Sequence, residues 1–305
     1  MNNLKHILNE YDIKLNSFKE KGNIIFLDTN KGKLVYKENS NNYDIYEYLK
    51  TRNFNFFPRC LNNKNSNVEL TEYIREKDVP RETRLKDLIH LTGILHKNTS
   101  FNKEIDLDEI KDIYENITNN CKYLKNYYDS LNNYIDTKVF MSPSEYLLVS
   151  NMDLINYCLD FALTEIDTWY NSLKNDKTIR YSLIHNNLDL SHILESDNKY
   201  LISWSRSKLD MPIMDIYKLY KNNYYDLNLD DFLREYEAEY RLTNNEYLFF
   251  LINLACVKKI EFTKNTYKDC YNINNYLVYL RKIAAMIQKL GENSKKVWLF
   301  EPFIV

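Results

Sequence analysis

Glycine is almost missing from this 305-residue chain, which contains 4, and proline is nearly as scarce at 5. So little glycine leaves few places where backbone can close tightly around a phosphate group. No run of about 18 apolar residues occurs, so no membrane span is expected. Neither sign of charge dominates: 41 Lys and Arg face 43 Asp and Glu, a net of −2. That balance excludes the basic footprint of a nucleic-acid binder and a polybasic membrane patch. The cysteines, Cys60, Cys121, Cys158, Cys256 and Cys270, are odd in number and scattered. With no C-x-x-C pair, neither a disulfide framework nor a metal cluster is expected, and free thiols in a reducing compartment are. The N-terminus, MNNLKHILNEYDIK, lacks a signal-peptide apolar region, which implies the cytoplasm or an assembly built from it.

What the chain does have is 44% hydrophobic residues, ample for a sizeable core. Leu4, Ile7, Leu8 and Tyr11 predict a short helix over 3–14. Two strand-like runs at 23–29 and 33–38 flank the turn signal Asn30-Lys31-Gly32. A helix is expected over 42–52, a strand in FNFFPRCL, a polar turn at 62–67, and a strand over 68–74. From about residue 81 the pattern turns helical. Leu85, Leu88, Ile89, Thr92 and Leu95 repeat at helical spacing over 82–97. Long helices are predicted at 106–134, 143–173, 229–241, 244–262 and 271–291, with Gly291 as the last stop. The expected fold class is α+β: a small N-terminal antiparallel sheet with one helix over 1–75, then a large, mainly helical part over 76–305.

The stretch from Ser182 to Tyr217, SLIHNNLDLSHILESDNKYLISWSRSKLDMPIMDIY, interrupts the helices with two apolar runs around a polar loop. It resembles the catalytic segment of aminoglycoside phosphotransferase and choline kinase-type enzymes, H-G-D-x-x-x-x-N-I-L, then I-D-[WF], then D-x-x-x-x-D-[LI]. Further segments match in order: KLVYK ending at Lys37, Asn55-Phe56-Phe57-Pro58, Leu70-Thr71-Glu72-Tyr73-Ile74, Leu95-His96-Lys97, and Ser142-Pro143-Ser144. Within this superfamily the chain is most similar to the spore-coat, CotS-type branch. The resemblance implies a two-lobed, eukaryotic-like protein-kinase fold. It assigns Lys37 to the nucleotide phosphates, with Glu47 (or Asp44) as its carboxylate partner. It gives the Glu72-Tyr73-Ile74 connector the task of receiving adenine through backbone groups. Asp215 then becomes the acid that ties the catalytic loop to the following helix. The turn of the first strands, Lys19-Glu20-Lys21-Gly22-Asn23, holds one glycine where kinases cover the phosphates.

Against that frame, three positions depart from the pattern. Asn187 stands where the family has its catalytic Asp, His192 where it has a metal-binding Asn, and Ser203 where it has the second metal-binding Asp. Phosphoryl transfer needs in-line positioning, metal neutralisation of charge and a proton acceptor. An amide does not ionise and so is no carboxylate base. Imidazole nitrogen suits magnesium poorly, and a neutral hydroxyl is a weak substitute for a bridging carboxylate. Asp189, two residues beyond Asn187, is the candidate for compensation.

Three readings follow. The first is a catalytically silent kinase-fold protein acting as a binding or assembly module. Its branch resemblance implies spore-coat partners and a spore-coat location. The second is an ATP-dependent phosphotransferase acting on a hydroxyl of a sugar, amino alcohol or aminoglycoside. The third is a nucleotide-binding switch that keeps Lys37 and the connector without turnover. ATP is the cofactor the resemblance implies, and the altered positions argue against magnesium.

Overall fold

Alternating side chains in IIFLDT and GKLVYKE demand strands with two different faces. In the computed structural model, which describes residues 2–38, 40, 42–61, 67–263 and 265–298, they form such strands. Helix α1 (Asn2–Glu10) precedes an antiparallel sheet of β1 (Leu15–Lys21), β2 (Ile24–Thr29), β3 (Gly32–Glu38) and β4 (Val68–Glu72), in that spatial order. Helix α2 (Tyr43–Thr51) lies between β3 and β4 in the chain. The register sets Leu27 opposite Leu34, Phe26 opposite Val35, Val35 opposite Thr71 and Lys37 opposite Glu69. Because the side-chain period is two, Leu27, Leu34, Tyr36, Val68 and Leu70 share one face. They bury it with Leu4, Ile7, Leu8 and Ile13. Phe26, Val35, Lys37, Glu69 and Thr71 therefore share the other face.

After α3 (Arg81–Thr99) and β5 (Phe101–Glu104) come three helices, α4 (Leu107–Asp136), α5 (Pro143–Val149) and α6 (Met152–Leu173). Short strands β6 (Thr178–Ile184), β7 (Ile193–Glu195), β8 (Lys199–Leu201) and β9 (Lys208–Asp210) follow. The chain closes with α7 (Ile213–Asn223), α8 (Leu229–Glu237), α9 (Asn244–Ala255) and α10 (Thr266–Trp298). It divides into two compact units, one of Met1–Phe101, Tyr181–Asp215 and Glu235–Tyr240, the other of Asn102–Arg180, Ile216–Arg234 and Arg241–Val305.

In the first unit the sheet and the segment around β7–β9 are sewn together. Leu201 donates its N–H to Phe56 O at 2.7 Å, and Lys77 donates to Glu195 O at 2.7 Å. The Phe54 and Trp204 rings meet edge to face at 5.9 Å. α3 buries Leu85, Leu88, Ile89 and Leu95. In the second unit, Trp169 of α6 stacks on Phe249 of α9 at 4.3 Å. Tyr127 and Tyr128 of α4 donate their hydroxyls to Ile260 O and Lys258 O, at 2.6 and 2.7 Å. Among the described residues no helix is long and apolar enough to cross a membrane.

Several element boundaries differ from expectation for identifiable reasons. β1 is implied in the sequence only by the turn read at 19–23, since every residue of LNSFKEK is exposed and no apolar alternation marks it; the strand runs through Lys21 and the turn shrinks to Gly22-Asn23. The strand expected in FNFFPRCL is reduced to a single bridge, Cys60 to Thr71, in a stretch where Pro58 has no N–H to give a ladder. The helix expected over 143–173 breaks at Ser150–Asn151. There the Asn151 side chain caps back onto Leu147 O at 2.8 Å. α9 stops at Ala255, and the residues beyond are held extended by the Tyr127 and Tyr128 hydroxyls. α10 runs through Gly291, so that residue does not end it. The polar turn at 62–67 lies, apart from Asn67, outside the described residues.

Close approach explains one of the few glycines. A Cβ on Gly93 would stand 2.9 Å from Tyr236 O and 3.0 Å from Glu239 Cβ. Gly93→Ala is expected to destabilise the protein by about 1–3 kcal/mol by forcing these elements apart. A urea denaturation series on the variant and parent measures the difference, and equal midpoints would show that the approach is not tight.

Candidate functional site

The opposite face of the sheet opens onto a cavity of about 410 Å³. Ile24, Phe26, Val35, Lys37, Glu69 and Thr71 line it from the strands. Glu72 lines it from the end of β4, Tyr73, Ile74 and Glu76 from the connector that follows, and Ser191, Leu194 and Ile202 from the opposing segment. Phe26 and Tyr73 meet edge to face at 5.9 Å. The lining thus combines apolar side chains with the charged groups of Lys37, Glu69, Glu72 and Glu76. The connector is fixed by its own backbone, with Glu72 N–H donating to Arg59 O and Tyr73 N–H to Lys33 O, both at 3.0 Å.

Lys37 projects into this cavity from β3. Its ammonium lies 4.0 Å from the Glu69 carboxylate, its direct cross-strand neighbour on β4. Glu47, the expected partner, is instead paired with Lys50 at 2.7 Å on the exposed side of α2. The helix contributes Tyr46, whose hydroxyl donates to Glu69 Oε1 at 2.5 Å. Ser40 and Asn42 donate to Oε2, each at 2.9 Å. Glu69 is buried, and these three donors satisfy it as a buried charge requires. Burial and the neighbouring Glu69 charge push the Tyr46 phenol well above its ordinary range, so it stays a donor. Alternation along VELTE puts Glu69 on the face of Lys37 and Thr71, a signal that only the pairing register completes.

The loop below the cavity hangs on Asp215. This fully buried carboxylate accepts from His185 N–H and Asn186 N–H, both at 2.7 Å. His96 Nε2 lies 3.3 Å from it, and the Tyr236 hydroxyl lies 2.7 Å from His96 Nδ1. Burial works against ionisation of Asp215. The His96 and His185 rings and the backbone donors outweigh it, and hold the carboxyl below its usual range. Asp215 is thus the expected tie. Asn186 takes φ 56°, the left-handed conformation that suits the glycine of H-G-D and that asparagine tolerates best among the other residues.

Beyond that tie, the altered positions lie together. His192 donates from Nδ1 to the backbone carbonyl of Asn187 at 2.6 Å, and Ile202, next to Ser203, donates its N–H to His192 O at 2.9 Å. Ser203 sits at φ 71°, ψ 47°, a region in which aspartate is enriched. The backbone keeps a shape fit for an acid while the side chain is a hydroxyl. Asp189 accepts from the N–H and the hydroxyl of Ser191, at 2.8 and 2.6 Å. Those bonds hold its carboxyl below the ordinary range. Neither Asp189 nor Asn187 lines the cavity.

Compared with solved structures, the chain is similar to an aminoglycoside phosphotransferase from Alicyclobacillus acidocaldarius. The TM-score is 0.68 over 96% of this chain and 96% of that one, at 12% identity. The chain has the aminoglycoside phosphotransferase-type kinase fold. A spectinomycin phosphotransferase solved with AMP aligns over 93% of this chain and 98% of its own, with TM-score 0.51 and 11% identity. No family model and no curated protein matches the sequence. In this kinase fold the antiparallel sheet forms the N-terminal lobe and the C-terminal lobe is helical.

Magnesium, which kinase folds use beside the phosphates, does not fit the donors present. His192, at the position of the family's metal-binding amide, offers nitrogen and turns its ring back on the Asn187 backbone carbonyl, and Ser203 offers a neutral hydroxyl. Among the described residues no three His, Cys, Asp or Glu side chains gather to hold a metal ion.

Replacing Asp215 by Asn leaves a backbone N–H without its charged acceptor. The expected loss is about 2 kcal/mol at neutral pH. Because the folded carboxyl is held low, its contribution is complete above the ordinary carboxylate range and is lost as pH falls through and below it. The gap between parent and Asp215→Asn should therefore close below pH ~4. Urea midpoints across pH test this, and a gap that widens in acid would refute it.

Proposed function

We propose that this kinase-fold protein binds an adenine-type ligand in the cavity of the first unit and transfers no phosphate. The apolar slot of Phe26, Val35, Leu194 and Ile202 supports the ring site, with the Glu72-Tyr73-Ile74 connector at its rim. The spectinomycin phosphotransferase neighbour, solved with AMP, lends the comparison. The observation that carries the non-catalytic half is the His192–Asn187 bond. A ring turned back on the loop occupies the place where the resemblance puts a metal-binding amide. Asp189 caps Ser191 through Oδ1 and its carboxyl is held below the ordinary range, which makes it a weak base for an acceptor hydroxyl. A binding or assembly module follows, with the sheet lobe over 1–75 and the helical lobe over 76–305. The spore-coat setting and its protein partners rest on the sequence resemblance.

ATP at 100 times its Kd is expected to stabilise the protein by about 2.7 kcal/mol, equally with and without magnesium. Thermal shift measures this. Restoring Asn187→Asp, His192→Asn and Ser203→Asp together is expected to make the shift magnesium-dependent. A magnesium-dependent shift in the parent, or phosphate transfer to any hydroxyl, would overturn the reading.

A further inference from the structure

The cysteines are scattered along the chain, yet two of them meet in the second unit. Cys121 lies on the buried face of α4 that also carries Leu124 and Tyr128. Cys256 caps the end of α9. Tyrosine hydroxyls hold the chain around it. Tyr279 donates to Leu254 O at 2.6 Å, and Lys258 N–H donates to the Tyr276 hydroxyl at 2.7 Å. Tyr128 donates to Lys258 O at 2.7 Å and accepts from Ile260 N–H at 3.2 Å, while Tyr127 donates to Ile260 O at 2.6 Å. From Cys121 to Tyr128 is about two helical turns, a rise of about 10 Å, which about three extended residues also cover. The clamp at Tyr128 therefore brings Cys256 level with Cys121, and the two thiols stand within hydrogen-bonding reach.

The surroundings favour a thiolate. Lys221 of α7 and Lys258 rest over the Tyr279 and Tyr276 rings, at 6.0 and 4.5 Å, and no carboxylate pairs with either among the described residues. Lys221 is close enough to act on the Cys256 thiol. An unmatched cation draws a proton from such a pair, and the remaining S–H steadies the anion. That S–H holds the Cys121 thiol below its ordinary value. Cys158, beside the same Tyr279, has only burial acting on it and is pushed up to about 12. Access differs within the pair: Cys121 is buried and Cys256 half-buried, so an oxidant in water reaches Cys256 first.

We propose that Cys121 and Cys256 form an oxidisable dithiol site that a hydroperoxide converts to a disulfide, stapling α4 to the end of α9. The Cys256 thiolate attacks one oxygen of hydrogen peroxide. The O–O bond breaks, Cys256 becomes a sulfenic acid, and the departing hydroxide takes up the thiol proton as water. Cys121, as thiolate, then attacks the Cys256 sulfur. The S–S bond forms, the S–O bond breaks, and a second hydroxide leaves and is protonated to water. Two thiols and one peroxide thus give one disulfide and two waters. The bond restricts the unfolded chain and so adds stability.

Peroxide treatment of the full chain, alkylation of the remaining thiols in urea and mass spectrometry of the unreduced digest test this. The Cys121 and Cys256 peptides are expected joined, two hydrogens below their summed mass, with Cys158 alkylated. The melting temperature is expected to rise by about 5 °C and to return on treatment with a thiol reductant. Lys221→Gln is expected to slow the cross-linking about tenfold. Cys121→Ser should leave Cys256 as a sulfenic acid that dimedone traps. Circular dichroism checks that both variants fold, and the parent digest stands without them. Both thiols still free in peroxide, Cys256 joined to Cys158 instead, or a cross-linked form that melts no higher overturns the proposal.

Discussion

A carboxylate with no access to water, Asp215, holds the central loop in shape. Burying such a group is unfavourable unless donors replace the lost water. Here two consecutive backbone N–H groups do so at 2.7 Å, with a histidine ring behind them. Consecutive amides reach one carboxylate only if the chain turns sharply between them, which is why Asn186 is left-handed. That turn aims the Asn187 carbonyl where His192 can reach it. None of the groups in the tie lines the cavity; they set the shape of the loop, a role separate from that of the side chains at Asn187 and His192.

Ser203 shows the same separation within a single residue. Its backbone angles belong to a conformation in which acids are common, and its side chain cannot do what an acid does. The apolar frame around it, Ile202 and Trp204, still packs, with the indole donating to Leu201 O at 2.9 Å. The fold therefore persists at 12% identity to the structure it matches.

Much of this was legible in the sequence because it is local. Alternation in IIFLDT and GKLVYKE, the hairpin at Asn30–Gly32 and the helical period of α3 each follow from neighbours a few residues apart. The ordered motifs placed Lys37 and the connector together, and both line the cavity, whereas Asn187, His192 and Ser203 meet one another on the loop outside its lining. The partner of Lys37 was not legible. A helix carboxylate, Glu47, was expected, whereas the register of β3 on β4 selects Glu69. Register is a long-range property that no local window contains. The break at Asn151 escaped for a different reason, since a side chain competing for a helix carbonyl leaves the apolar period intact.

The hairpin of Gly22 and Asn23 bears on timing. Enzymes that shut a long loop over their ligand make opening of that loop a slow, separate event. Two residues pinned by the last rung of a ladder have no length with which to open or shut. For the ligand proposed beside Phe26 and Tyr73, this hairpin would add no slow step of its own to exchange.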